Sequence, residues 1–172
     1  MIRKELLCVR EETCCFTGHR KIKDKDFDMV MARTMGKVRE LIVKYGYRYF
    51  RVGGSIGYDM FAAEILFLMR DLEFPHIQVI LDYPFDGFTD GWDEEQKNEY
   101  AKLLPQYDKI VCVSPSVGRE AYLARDRHLI DNSSFCISYC TRRTGGTAYT
   151  IRYAETNHIP VYNTVDFDIS LV

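Results

Sequence analysis

The sequence predicts a single α/β domain of Rossmann-like architecture, a mainly parallel sheet with helices on both faces. Three observations carry that expectation. Apolar runs of strand length alternate with helix-length segments from end to end, the signature of βαβ units. No linker, repeat or low-complexity tract divides the 172 residues. Glycine-bearing polar segments follow the strand-like runs, where a parallel sheet hands over to its helices.

The first strand is "TCCFTG", Thr13 to Gly18. From Phe27 to Tyr45 apolar residues recur at spacings of three and four, tracing one face of a long helix that Gly46 stops. "YRYFRV" is a second strand running into Gly53. Tyr58 to Leu72 is helix-compatible and apolar around much of its circumference, as a buried helix is. "HIQVILDYPF" reads as the third strand, and "WDEEQKNEYAKLL" as a charged helix with a thin apolar stripe. "KIVCVS" is the fourth strand, "REAYLARDRHLI" a helix, and "SFCISYC" the fifth strand. "GGTAYTIRYAETN" opens a further helix, and "IPVYN" is a last short strand.

The bulk numbers narrow the function classes. Hydrophobic residues make 47% of the chain and charged ones 28%, the composition of an ordinary globular protein. A net charge of −2 gives no excess of positive charge for gripping nucleic acid, which is therefore not an expected partner. No apolar run approaches the roughly 20 residues that cross a bilayer. The opening "MIRKELLCVREE" carries charges through its apolar positions and cannot form a signal-peptide core. A cytoplasmic location and no membrane partner are expected. Exposed stripes on the charged helices permit a homo-oligomer.

Six cysteines do not make a disulfide scaffold. Strand geometry sends the adjacent Cys14 and Cys15 to opposite faces, and Cys136 and Cys140 lie about 13 Å apart along one strand, too far for a bridge or a shared metal. Cys8 and Cys112 stand alone. Buried reduced thiols and no metal site are the expectation.

Polar segments following the strands supply the candidate site. In "GGSIGYD", Gly53 and Gly54 allow a tight turn or the approach of an anion to the main chain. Gly57 and Asp59 then open a helix whose first N–H groups favour phosphate. The spacing matches neither the dinucleotide fingerprint nor the P-loop. "TGGT", Thr144 to Thr147, repeats the arrangement: Gly145 and Gly146 free the backbone, and the Thr147 hydroxyl can cap the helix or reach a phosphate. After the first strand stand Gly18, His19 and Arg20, a donor or acid–base histidine beside an arginine able to fork onto a phosphate. Arg125 is a further cleft candidate. Phe85 and Trp92 either stack on a base or simply pack.

In this order, "CCFTGHR", "GGSIGYDMFAAE", "YPF" with a later Trp, "RDRHLIDNS" and "GGTAYTIRYA" resemble the YpsA family of the SLOG superfamily, across roughly Cys14 to Tyr162. Relatives of that group include DprA and the LOG-type phosphoribohydrolases. The resemblance implies one SLOG/Rossmannoid domain over 1–172, with residues 1–11 as a short N-terminal extension. It also implies a nucleotide-derived ligand such as ADP-ribose or NAD, which would be the only bound cofactor. By position the ligand residues would be Gly18, His19, Arg20, Gly53, Gly54, Gly57, Asp59, Glu64, Arg125, Gly145, Gly146 and Thr147. Two departures stand out: Phe88 where the family tends to have glutamine after "PF", and Asp126 where it tends to have asparagine.

Three functions are compatible with this pattern. Binding or sensing a nucleotide derivative needs only backbone cradles and polar anchors. Hydrolysis of an N-glycosidic bond in a nucleoside monophosphate needs a placed carboxylate, for which Asp59 and Glu64 are candidates, with His19 as acid–base. The glutamate that LOG-type enzymes carry after their second glycine turn has no close counterpart here. DprA-like single-strand binding would want basic grooves with exposed aromatics; the near-neutral charge ranks it last, although "CTRRTGG" is a small basic spot.

Overall fold

The computed structural model describes residues 9–169. Cys8 and most of the expected N-terminal extension fall outside that range. Six strands form one sheet: β1 (Thr13–Gly18), β2 (Tyr49–Val52), β3 (Gln78–Tyr83), β4 (Lys109–Cys112), β5 (Phe135–Tyr139) and β6 (Val161–Asn163). Five helices follow β1 to β5 in turn: α1 (Phe27–Tyr45), α2 (Tyr58–Leu72), α3 (Glu94–Leu103), α4 (Arg119–Asp131) and α5 (Gly146–Thr156). The strand order is β4-β3-β2-β1-β5-β6, and every pairing is parallel. The α/β architecture read from the sequence is present.

Local chemistry sets the element ends. Gly46 takes φ +73° after α1, so its N–H returns to Ile42 O while Tyr47 N–H returns to Leu41 O. That closes the helix as a glycine C-cap does. At the start of α3, Asp93 accepts Gln96 N–H and the Gln96 side chain accepts Asp93 N–H, a reciprocal cap.

Alternation along β1 builds two cores. Cys14 and Phe16 join the larger cluster under α1 and α2, with Phe50, Val52, Leu66 and Leu81. Cys15 turns the other way, against Cys136, Leu129, Ile130 and Ala154 beneath α4 and α5. Cys14, Cys15, Cys136 and Cys140 are buried and unbridged as expected. Cys112 corrects the expectation: it is exposed, because β4 has a neighbour on one side only.

One buried ion pair crosses the α4 face. Arg51 on β2 donates from Nη1 to both carboxylate oxygens of Asp82 on β3 at 2.9 Å, and Asp82 is fully buried. His128 on α4 brings Nε2 to 3.5 Å from Asp82 Oδ1. Among the described residues, no helix is long and apolar enough to cross a membrane.

Candidate functional site

The chain leaves β1 in one direction through β2, β3 and β4, then crosses back to place β5 on the other side of β1. Helices α1 and α5 therefore depart to opposite faces, and the loops after β1 and β5 separate at the carboxyl edge. Such a switch point is where open α/β sheets bind ligands.

A cavity of about 360 Å³ lies there, reached by the end of β1, the loops after β1, β2 and β5, the starts of α2 and α5, and one side of α4. Gly18, His19, Arg20, Asp59, Arg125, Gly146 and Thr147 line it, so seven of the positions predicted from sequence converge. An outer hollow of about 740 Å³ continues from it and adds Gly145.

His19 bridges the two loops. Its backbone N–H bonds Tyr139 O at 3.3 Å, and its C=O accepts Tyr58 N–H at 3.0 Å. In the ring, Nε2 lies 2.8 Å from Thr141 N, and a backbone N–H can only donate. Nε2 is therefore the acceptor, and the neutral ring carries its proton on Nδ1. Burial, with Arg142 and Lys23 nearby, pushes the imidazole down to about 4. Arg142 Nη2 stands 3.4 Å from Nδ1, so two donors face the same space. A single anionic oxygen between them would satisfy both.

Asp59 is 5% exposed at the cavity floor and accepts Ser55 N–H at Oδ2, 3.2 Å away. Burial pushes its carboxyl up to about 6; Arg125 opposes that rise and Asp126 adds to it. The Arg125 guanidinium is buried and engaged internally. It donates to Gly53 O, to Ser55 Oγ at 3.3 Å and to Asp126 Oδ1 at 2.8 Å, and it lies 3.9 Å from Asp59. Its role is to organise the floor. Asp126, one of the family departures, is one of its acceptors.

The first glycine turn serves that packing. Gly53, Gly54 and Gly57 do not line the cavity. A side chain at Gly53 would strike the Arg125 guanidinium, and one at Gly57 would strike the Arg20 backbone. The N–H of Tyr58, at the start of α2, is already taken by His19 O. The second turn differs. Gly145 has φ +95° with open space around it, α5 has no side-chain cap, and among the described residues nothing accepts the N–H of Gly146 or Thr147. The Thr147 hydroxyl, on a side chain that is 8% exposed, also has no partner there.

Glu64 corrects its assignment. It lies on α2 beside Glu99 and Lys102 of α3, away from the crevice. Five residues at 100° each put it about 140° around the helix from Asp59. Phe85 and Trp92 are packed rather than offered to a ligand. Phe88 meets Phe85, Trp92 and Tyr100 edge-on at 6.4, 5.3 and 5.5 Å and stacks on Tyr83. The glutamine-to-phenylalanine departure thus completes an aromatic cluster. Sequence reasoning passed over Thr17, Ser55, Tyr122 and Arg142 in the inner cavity. Only the basic "TRRTGG" offered a signal for Arg142.

A doubly wound α/β domain with a polar, arginine-edged crevice at its switch point is what fold and site define. The YpsA family, described as the YspA SLOG family, matches residues 14–168, and the chain belongs to it. Its relatives include UPF0398 proteins of Bacillus pumilus, 24% identical over 73% of this chain and 69% of that one, and of Bacillus velezensis, 25% identical over 69% and 68%. The match to a UPF0398 protein of Shouchella clausii, 26% identical, spans 42% of this chain and 38% of the relative. Among solved structures, DNA processing protein A (DprA) from Streptococcus pneumoniae aligns with TM-score 0.63 at 16% identity, over 87% of this chain and 48% of that one. DNA processing protein A from Helicobacter pylori, whose structure concerns a single-stranded DNA binding mode, aligns with TM-score 0.58 at 16% identity, over 87% and 63%. Likeness at that identity establishes the shared fold. With DNA-processing proteins among the neighbours, the expectation against nucleic acid is left unsupported.

Proposed function

We propose that this protein binds a nucleotide-derived small molecule, of the ADP-ribose or NAD class, in the crevice between the β1 and β5 loops. One observation carries the reading. The open N-terminus of α5 and the partnerless Thr147 hydroxyl meet Arg20 and Arg142 in one cavity, and among the described residues neither arginine forms a salt bridge. Backbone donors, a helix dipole and unpaired guanidinium groups together suit a phosphate. Asp59, Asp126 and the hydroxyls of Thr17 and Ser55 suit the hydroxyls of a sugar.

Thermal shift and calorimetric titration with ADP-ribose, NAD, AMP and a single-stranded oligonucleotide test this. A nucleotide is expected to stabilise the protein, and Arg142→Ala to weaken its binding by about tenfold, the worth of one charge-assisted contact. No response to any nucleotide at millimolar concentration refutes the reading. Tighter binding of the oligonucleotide in its place makes the site a nucleic-acid one.

A second reading, N-glycosidic hydrolysis, rests on Asp59, a cavity carboxyl held at about 6 and so poised for proton transfer near neutral pH. Release of free base from AMP, lost in Asp59→Asn, is the result that would establish it.

A further inference from the structure

The crevice consists of two chambers with different chemistry. We infer that they divide the ligand: the inner chamber takes the terminal pentose and its own phosphate, and the outer one takes the nucleoside and the second phosphate. The inference rests on the nucleotide reading above and deepens it.

The inner chamber is lined by the buried side chains of Thr17, His19, Ser55, Asp59, Asp126 and Thr147. Hydroxyls and carboxylates suit a polyhydroxyl group, and its 360 Å³ is at the small end for a ligand site. Its anion seat lies at one end, where the His19 and Arg142 donors face each other beside Thr147. Asp59 and Asp126 group around Arg125. Donors for a phosphate and acceptors for sugar hydroxyls are thus both present in the inner chamber.

The outer chamber is larger, about 740 Å³, and carries Tyr122, Tyr149 and Leu123 with Arg20, Arg119 and Arg152. Aromatic faces beside guanidinium groups suit a base and a phosphate. Both rings are held in place. Tyr149 accepts Arg127 Nη1 at its hydroxyl, 3.0 Å away, and stacks on Tyr153 at an interplanar angle of 16°. Tyr122 packs edge-on to Phe85 at 5.4 Å, with the Arg20 guanidinium 5.6 Å from its ring centre. Helix α4 also starts here, at Gly118 with φ +88° and no side-chain cap, so two helix N-termini border the same hollow. Among the described residues Arg20, Arg119 and Arg152 form no salt bridge. Arg20, Tyr122, Asp126 and Gly146 line both chambers, so Arg20 stands where a diphosphate would pass between them.

Calorimetric titration of the full chain with ribose 5-phosphate, ADP, ADP-ribose and a 5′-phosphorylated oligonucleotide tests the division. ADP-ribose should bind at least about tenfold tighter than either ribose 5-phosphate or ADP, since only it fills both chambers. The double variant Arg119→Ala/Arg152→Ala should weaken ADP-ribose binding by about tenfold or more and leave ribose 5-phosphate within about twofold. Thr147→Val should weaken both. Both arginines are surface residues, and an unchanged melting curve confirms that the double variant is folded. Equal losses for both probes in the double variant, or ADP binding as tightly as ADP-ribose, overturn the division while leaving nucleotide binding in place. Oligonucleotide binding tighter than ADP-ribose overturns it as well. Failure of all four probes overturns the nucleotide reading itself.

Discussion

His19 Nε2 accepts the backbone N–H of Thr141 at 2.8 Å, tying the loop after β1 to the loop after β5 across the switch point. One imidazole thus fixes the cavity's width and, by accepting at Nε2, presents its Nδ1 proton inward. His19→Ala removes the acceptor and leaves the Thr141 N–H without it, a loss of about 1–3 kcal/mol. Denaturant unfolding should show that loss, and ADP-ribose titration should show weakened binding. Unchanged values in both would refute the bridging role.

Ionisation of the buried Asp59 carboxyl opposes stability. Its carboxyl titrates at about 6 in the fold against about 3.8 when unfolded, so the folded state holds the proton over that window. Stability is therefore greatest below the unfolded value, falls as pH rises toward 6, and stays reduced above it. Asp59→Asn should gain on the order of 3 kcal/mol at pH 8 and nothing at pH 3.5. The same variant should bind ADP-ribose more weakly at pH 8, since it lacks the anionic acceptor. A stability difference independent of pH would contradict the assignment.

His19 has the opposite sign. Its folded value of about 4 lies below the ordinary 6.5, so the unfolded chain takes the proton first. Its contribution is complete above 6.5 and is lost as pH falls toward 4. Comparing wild type with His19→Gln across that window isolates it: the variant should be less sensitive to acid. Identical acid profiles would rule it out.

The Arg51–Asp82 pair is buried at both ends, with side chains 7% and 0% exposed. Asp82→Ala takes from the buried Arg51 guanidinium the carboxylate it donates to and should destabilise by about 3–5 kcal/mol. The double variant Arg51→Met/Asp82→Leu should recover most of that loss, because an apolar pair of similar volume needs no compensation. Urea midpoints for the three proteins decide the matter. A double variant as unstable as the single one would show that the pair is not the reason.

The two glycine turns should respond differently to alanine. Gly145→Ala meets open space and pays only the backbone penalty of its positive φ, about 1–3 kcal/mol. Gly57→Ala carries a comparable penalty at φ +83° and also sets its methyl 2.6 Å from Arg20 Cα. It should therefore unfold at clearly lower urea. Equal midpoints would mean that the β1 loop yields freely.

Much of the fold was legible because its signals are local. The spacing of apolar residues gave α1 as Phe27–Tyr45 and α2 as Tyr58–Leu72, and Gly46 marked a real stop. Strand ends were read one or two residues long, at Tyr47 and Pro84 for example, because the residues beside a strand can continue its extended backbone without pairing to a neighbour. The site was legible in part. Glycine, histidine and arginine at the end of β1, and Gly145 to Thr147 at the start of α5, did gather at one edge. Glu64 did not, although helix periodicity alone separates it from Asp59.

The sequence by itself determined the succession of strands and helices and the edge of the sheet where polar residues collect, since both follow from periodicity and parallel connection. Only the tertiary structure decided which glycine turn stays open. The answer depends on Arg125, which arrives on α4 from 72 positions away and settles against Gly53, while no side chain does the same at Gly145. Contacts that distant in sequence leave no periodic trace, so no local pattern distinguishes a turn packed by its own protein from one whose N–H groups face the crevice.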